Sequence, residues 1–455
     1  MTPRLAKRFA YESFEIDRVA GELRCSYSLD EQHFSESISL PATAGLAAWD
    51  SNEVRAAARW VFLLAGVSYY KAGAPPEIDL RGQPLSSKDM AFLRAFYLDG
   101  LGEFAYRNDL DLSGLSLRGA AGLGSAEATE PAPVGIAPRA PLVCFGGGID
   151  SIVTTELVRG EAGDSATCLF IVSRKGDRFA AIEDSAAVSR LPVVRAEREL
   201  DDAIVHSTQL GYLNGHVPVT GIVSAIAVLA AALHDRDAVV MSNEASASVG
   251  NVVSNGRVMN HQWSKSIAFE TGFRAALAGQ GVGVDYFSLL RPVSELWVAR
   301  RFAELPAYHR TFRSCNKAFF VNPTRRLDHW CGECDKCCFV DLVLAPFMDR
   351  LALESVFGGR EPLSDKSLGG KFRVLLALSS SPKPWDCVGD TSECRAALRL
   401  AVRREDRRDT ELLHELAAEL DATATIPDPL EAREAIGIDG PHFIPDAYAP
   451  GNLLV

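Results

Sequence analysis

Residues Pro141–Leu157 read PLVCFGGGIDSIVTTEL: a short apolar run, three consecutive glycines, an Asp-Ser pair, then apolar residues at helical spacing. The order specifies strand, tight loop, helix. Glycines let a backbone turn sharply and leave its N–H groups facing a ligand, and the N-terminus of the helix behind the loop adds partial positive charge aimed at an anion. Phosphate is the guest such a loop suits. The spacing excludes a P-loop, because no Gly-Lys-Ser/Thr follows the glycines, and excludes the dinucleotide fingerprint, whose third glycine is missing. A ligand-free strand-to-helix turn is the plain alternative for this stretch alone.

Downstream of the loop the pattern repeats. ATCLFIVSRKG reads as a second strand ending in Ser173, Arg174 and Lys175, a helix follows around Arg178 to Ser189, and LPVVRAERELD supplies a third strand. The apolar helix from Pro218 to Leu233 leads into AVVMSNEASASVGN, a fourth strand ending near Ser242 and Asn243, and DYFSLLRP is a further strand before the helix SELWVARRFAEL. Strands alternating with helices at this spacing predict an α/β fold with a doubly wound parallel sheet, whose ligands sit beyond the carboxyl ends of the strands. The polar segments named here all fall at such ends. His216, His261 and Lys265 lie in polar segments near them and are the candidate acid/base residues, with a satisfied polar side chain as the alternative for each.

Upstream, residues 14–40 alternate apolar and polar residues around Ala-Gly and Asp-Glu breaks and predict a small antiparallel meander. From Ser51 to about Leu112 the period becomes helical, and Gly119 to Pro141, rich in Gly, Ala and Pro, reads as a linker. Beyond residue 350, KFRVLLAL, the stretch after Gly389 and TELLHELAAEL predict amphipathic helices ahead of a Pro-rich end. At 455 residues the chain exceeds one compact core. The expected division is an α+β module over 1–130, the loop-bearing domain over 131–350 and a helical region over 351–455.

Acidic residues outnumber basic ones, 59 to 47, for a formal charge of -12, which disfavours a nucleic-acid footprint. The N-terminal stretch carries no signal-peptide pattern, and the apolar run Ile222 to Leu233 is about half the length needed to span a bilayer. Neither a membrane nor a nucleic acid is an expected partner; oligomeric state is not legible. Ten cysteines, five of them between Cys315 and Cys338, point to a reducing compartment and a metal site rather than a disulfide framework. Cys331, Cys334 and Cys337 form two C-x-x-C steps on one turn, and Cys315, sixteen residues upstream, completes a tetrahedral four-sulfur set. Zinc is the first choice, an iron–sulfur cluster uses the same ligand type, and Cys338 is surplus.

The loop is similar to the SGGxDS signature of the N-type ATP pyrophosphatases, the PP-loop class, with Gly146, Gly147, Gly148, Ile149, Asp150 and Ser151 in its six places. Gly146 stands where that signature has Ser, so one hydroxyl is absent while the backbone donors remain. SC…CGECDKC is similar to the cysteine site of the 7-cyano-7-deazaguanine synthases of the same class. Over nearly the whole chain the sequence more closely resembles the ATP-dependent UDP-N-acetylmuramoyl-L-alanyl-L-glutamate epimerases of bacterial peptidoglycan synthesis. CFGGGIDS, HVPVT, SNEAS, HQWSKS, RSCN, HWCGECDKC and KPWDCVG carry that likeness.

The resemblance implies a cytoplasmic enzyme that adenylates the terminal α-carboxylate of UDP-MurNAc-L-Ala-L-Glu with ATP and Mg²⁺, exchanges the α-proton, and hydrolyses the adenylate to give D-Glu. The expected nucleotide contacts come from the loop and from the polar strand ends, Ser173, Arg174 and Lys175 on one and Ser242 and Asn243 on another, with Asp150 at the helix N-terminus positioning ATP and its Mg²⁺. Two other classes share features with the chain: an amidating enzyme of the deazaguanine-synthase type, and a catalytically silent nucleotide-binding module.

Overall fold

Five strands run parallel along one end of a ten-stranded sheet, in the spatial order Asp285–Ser288, Ala238–Met241, Pro141–Cys144, Cys168–Arg174, Val193–Glu199. This is a computed structural model that describes residues 5–41, 45–122, 139–250, 252–254, 257–381, 384–386, 388–423 and 440–448. The strands read as nearly continuous apolar runs because both faces are covered. Leu142, Phe170, Val239 and Tyr286 enter one core; Val143, Leu169, Val240 and Phe287 enter the other. Helix Val219–Leu233 belongs to the first core and helices Ile149–Ala162 and Glu295–Ala303 to the second.

Pro141–Cys144 comes first of the five in the chain yet lies in their middle, so the chain leaves it in opposite directions. A crevice opens at such a switch point, outside the carboxyl ends of the two diverging strands. The glycine loop follows one of those strands, and Ser242 and Asn243 follow the other, Ala238–Met241.

The meander does not form a sheet of its own. Strand Gln32–Ser39 pairs antiparallel with Val193–Glu199, and the sheet continues through Glu22–Leu29, Arg8–Asp17, Glu77–Asp79 and Ser116–Arg118. A buried ion pair pins the junction: Arg198 Nε lies 2.6 Å from Glu36 Oε1, and the same guanidinium donates to the Ser68 hydroxyl. Helix Asn52–Ala65, capped by Ser51 accepting from the Val54 N–H, shares its core with helix Val219–Leu233. One sheet thus runs through the N-terminal segment and the loop-bearing segment alike.

The C-terminal region is helical, with Arg350–Val356, Gly369–Leu375, Thr391–Ala401 and Glu411–Thr423. Leu412, Leu413, Leu416 and Leu420 enter the same core as the loop helix. The fully buried pair Arg407–Glu361, 2.7 Å apart, ties this layer together. Most of the linker expected over Gly119 to Pro141, and most of the Pro-rich end, lie outside the described residues, at 123–138, 424–439 and 449–455. Among the described residues no helix is long and apolar enough to cross a membrane.

Candidate active site

Gly147 has φ +75°, and a Cβ there would lie 2.5 Å from the Ala181 carbonyl oxygen and 2.9 Å from Ile182 Cα. Conformation and space both require glycine. A Cβ on Gly146 would meet nothing within 4 Å, so the side facing the crevice is open. Gly148 is the extended N-cap of helix Ile149–Ala162. The Ser151 hydroxyl is turned inward, donating to the Gly148 carbonyl at 3.0 Å, and the Arg313 N–H donates to the Gly147 carbonyl at 3.3 Å. That last bond docks the cysteine-bearing segment directly on the loop.

A cavity of about 580 Å³ lies over this turn. Gly146, Gly148, Asp150 and Ser151 form one wall, Ser242 and Asn243 another, and Phe145, Phe170, Val172, Ile182 and Met241 an apolar floor. Ser314, Asn316, Lys336 and Asp386 close it from the cysteine side, and His261 and Lys265 complete the lining. Asn243 is held by its backbone, whose N–H donates to the Ser288 hydroxyl at 2.5 Å, while that hydroxyl donates to the Asn243 carbonyl at 2.9 Å. The Ser242 hydroxyl oxygen is buried with no hydrogen-bond partner among the described residues. Beneath the loop, burial and the neighbouring carboxylates of Glu244 and Asp150 push Glu295 well above the usual carboxylate range. A second cavity of about 590 Å³, over the meander, is lined by Glu15, Glu22, Glu199, Asp201 and Asp202. Its acidic walls oppose an anionic guest, and no residue of the glycine loop reaches it.

The sequence-predicted residues divide. Asp150, Ser151, Ser242, Asn243, His261 and Lys265 share the main cavity. Ser173, Arg174 and Lys175 lie at the end of strand Cys168–Arg174 and are not among the lining. Ser173 accepts from Arg178 at 3.0 Å, and Lys175 pairs with Glu199 at 2.7 Å on the surface. Among the described residues His216 does not line the cavity either; its ring packs behind His261, the two centroids 4.2 Å apart. Glu103, which no local pattern marks, accepts a hydrogen bond from His261 Nδ1 and lies 3.8 Å from His216 Nδ1. Burial pushes Glu103 up, but the His261 hydrogen bond and the charges of His261, His216 and Arg107 outweigh it and leave the carboxyl below its usual value. Burial and the His261 charge push His216 down to about 4.

The four cysteines converge as their spacing predicts. Cys337 Sγ lies 3.6 Å from Cys331 Sγ and 3.4 Å from Cys334 Sγ, and the Cys331 N–H donates to Cys315 Sγ at 3.4 Å. Four sulfurs about 2.3 Å from one zinc would stand about 3.8 Å apart in a tetrahedron, so the set has the right size for a metal ion. Hydrogen bonds from Cys334 and Cys337 hold the Cys315 thiol well below its usual value, while hydrogen bonds with Cys315 and Cys334, and burial, push Cys337 up. Cys338 stays outside the set, buried and pushed up chiefly by burial. The turn serves the cavity as well: Ser314 and Asn316 flank Cys315, and Lys336 stands between Cys334 and Cys337. Asn316 donates to Asp386 at 3.1 Å.

Two family models cover most of the chain: the MurL N-terminal domain matches residues 1–289 and the MurL C-terminal domain residues 311–430. The chain belongs to the MurL family. Its MurL relatives include a protein of Xanthomonas oryzae pv. oryzae (strain MAFF 311018), 38% identical over 96% of this chain and 95% of the relative. A second, from Salinispora tropica, is 38% identical over 97% of this chain and 94% of the relative. Both are named UDP-N-acetyl-alpha-D-muramoyl-L-alanyl-L-glutamate epimerase. As a MurL member the chain is an enzyme of the isomerase class. No solved structure matches it.

Proposed function

We propose that this MurL protein converts the terminal L-Glu of UDP-MurNAc-L-Ala-L-Glu to D-Glu in peptidoglycan synthesis, using ATP to adenylate the α-carboxylate and releasing AMP and diphosphate. The observation that carries the reading is one cavity lined both by a phosphate-shaped loop and by His261 and Lys265. Removing the α-proton beside an ionised carboxylate would build a dianion. An acyl-adenylate carries no charge at that carboxyl and acidifies the α-proton, which explains why activation and proton transfer belong together.

The residues present fit the nucleotide. Gly146 and Gly148, turned by Gly147 at a helix N-terminus, supply backbone for the phosphates, and Phe170, Val172 and Ile182 offer apolar area for a base. We assign the sheet to the PP-loop ATP pyrophosphatase type on the loop's place at the switch point. Mg²⁺, bound with ATP, would neutralise phosphate charge, and the Asp150 carboxylate in the cavity wall is an oxygen donor that suits it. Zinc on Cys315, Cys331, Cys334 and Cys337 would be structural, fastening Ser314, Asn316 and Lys336 to the cavity wall. We place the reaction in the cytoplasm, since five of the ten cysteines cluster between Cys315 and Cys338 in a metal-site spacing that a reducing compartment keeps available.

The test is pyrophosphate exchange into ATP with and without the precursor. Exchange that requires UDP-MurNAc-L-Ala-L-Glu, together with D-Glu in the hydrolysed product, is the expected result. Exchange with no change at the glutamate centre, or an amide product formed from ammonia, would move the chain to the amidating class.

A further inference from the structure

We propose that Glu103 is the positioning residue of the proton-transfer step, holding His261 as the base on one face of the activated glutamate. The inference rests on the reaction proposed above and adds to it a residue from outside the glycine loop and the cysteine turn. Glu103 belongs to the short helix Gly102–Arg107, and its side chain is only 6% exposed. A buried carboxylate is costly unless its charge is met. Arg107 Nε stands 2.6 Å from one oxygen, and the His261 ring donates to the other from 158 residues away in the chain.

That contact decides which nitrogen is basic. With Nδ1–H given to Glu103, the neutral ring carries its lone pair on Nε2, and His261 lines the cavity with Asp150 and Lys265. In the proposed step Nε2 takes the α-proton, the C–H electron pair moves into the adenylated carboxyl, and the Glu103 carboxylate offsets the positive charge that appears on the ring. Glu103 meets the need for that charge because it stays ionised at neutral pH.

The same geometry removes His216 from the opposite face. Two bases that flank one carbon must each approach it within about 3–3.5 Å, which sets them about 6–7 Å apart. The ligand atoms of Glu103, His216 and His261 all lie within 4.8 Å of one another, and the imidazoles pack ring against ring. His216 therefore stands on the His261 side, uncharged at neutral pH, and the second proton enters from another wall of the cavity. Two imidazoles and a carboxylate are also a donor set for a divalent cation. The Arg107 guanidinium on the same carboxylate opposes that use, since it supplies a positive charge where the cation would seek a negative one.

The full-length protein and its Glu103→Gln variant separate these readings when two half-reactions are followed: precursor-dependent pyrophosphate exchange into ATP, and solvent deuterium entering the glutamate α-carbon. Glu103→Gln is expected to keep pyrophosphate exchange within about twofold and to lose deuterium incorporation by about 10²–10⁴-fold, the usual worth of a positioned acid or base. Glu103→Asp should recover part of the loss, and the double variant with His261→Gln should be no slower than His261→Gln alone. Should Glu103→Gln unfold, His261→Gln carries the same split measurement. Deuterium entry at the wild-type rate in Glu103→Gln would overturn the proposal, as would a second equivalent of bound metal that this variant loses. If the wild type itself fails to exchange pyrophosphate, the proposed reaction falls and this inference falls with it.

Discussion

Replacing Gly147 by Ala and Gly146 by Ser, one at a time, sets two adjacent glycines against each other. At Gly147 the backbone is left-handed at φ +75°, and the new methyl would meet backbone atoms of Ala181 and Ile182 at 2.5 and 2.9 Å. Backbone cannot rotate away as a flexible side chain does. A left-handed residue with a Cβ costs about 1–2 kcal/mol and overpacking adds about 1–3, so Gly147→Ala should lose about 2–5 kcal/mol. At Gly146 nothing lies within 4 Å of a new Cβ and the φ is ordinary, so Gly146→Ser should stay within about 0.5 kcal/mol of the wild type. The serine also restores the hydroxyl that the pyrophosphatase signature has at that place. Urea unfolding followed by tryptophan fluorescence measures the first quantity, and precursor-dependent pyrophosphate exchange measures the second. Gly147→Ala should be the less stable and should lose exchange, while Gly146→Ser should exchange at or above the wild-type rate. Equal stability and equal exchange in the two variants would refute the argument that the loop is shaped by Gly147 and open at Gly146.

Three further outcomes follow from other parts of the fold. His216 has a folded value of about 4 against an ordinary 6.5, so between those pH values the unfolded chain binds a proton that the folded chain does not. Stability should therefore fall as pH drops from 6.5 to 4, by up to about 3 kcal/mol, and His216→Gln should remove that part of the dependence in denaturant titrations at each pH. Elemental analysis of the purified protein should find one tightly held metal ion per chain, and Cys334→Ser should lose it and, by loosening the turn that carries Lys336 and Asn316, weaken pyrophosphate exchange as well. Arg407→Ala, which leaves the fully buried Glu361 only the Ser364 hydroxyl at 3.3 Å and Arg350 at 3.9 Å, should cost about 3–5 kcal/mol, whereas the paired change to Met and Gln should recover most of it in the same unfolding assay.

The parts of the fold written in local pattern were legible. The glycine loop, the apolar strands around it and the C-x-x-C steps each carry their signal within a few residues, and those strands and that turn lie where the spacing places them. What the pattern hides depends on pairing between distant segments. Arg198 and Glu36 meet across 162 residues to join the meander to the parallel strands, and neither residue differs locally from a surface charge. Glu103 is the same case at the site: GEFAYR reads as an ordinary amphipathic turn, and only folding brings its carboxylate to His261. Lys336 and Asp386 did have a signal, since both stand inside motifs that carry the family likeness, CGECDKC and KPWDCVG. Their role became visible only with the cavity. For Ser173, Arg174 and Lys175 a strand end was the sole signal, and a strand end fixes position along the sheet without fixing which way a side chain turns.

In the proposed reaction, ATP activation serves to make the glutamate α-proton removable. Turnover of UDP-MurNAc-L-Ala-L-Glu with ATP in deuterium oxide tests it directly, with the product glutamate examined by mass spectrometry and chiral analysis. The expected products are D-Glu carrying deuterium at its α-carbon and AMP and pyrophosphate formed from ATP, with no deuterium when ATP is left out. D-Glu without solvent deuterium, deuterium entry without ATP, or only L-Glu beside an amide made from ammonia would contradict it.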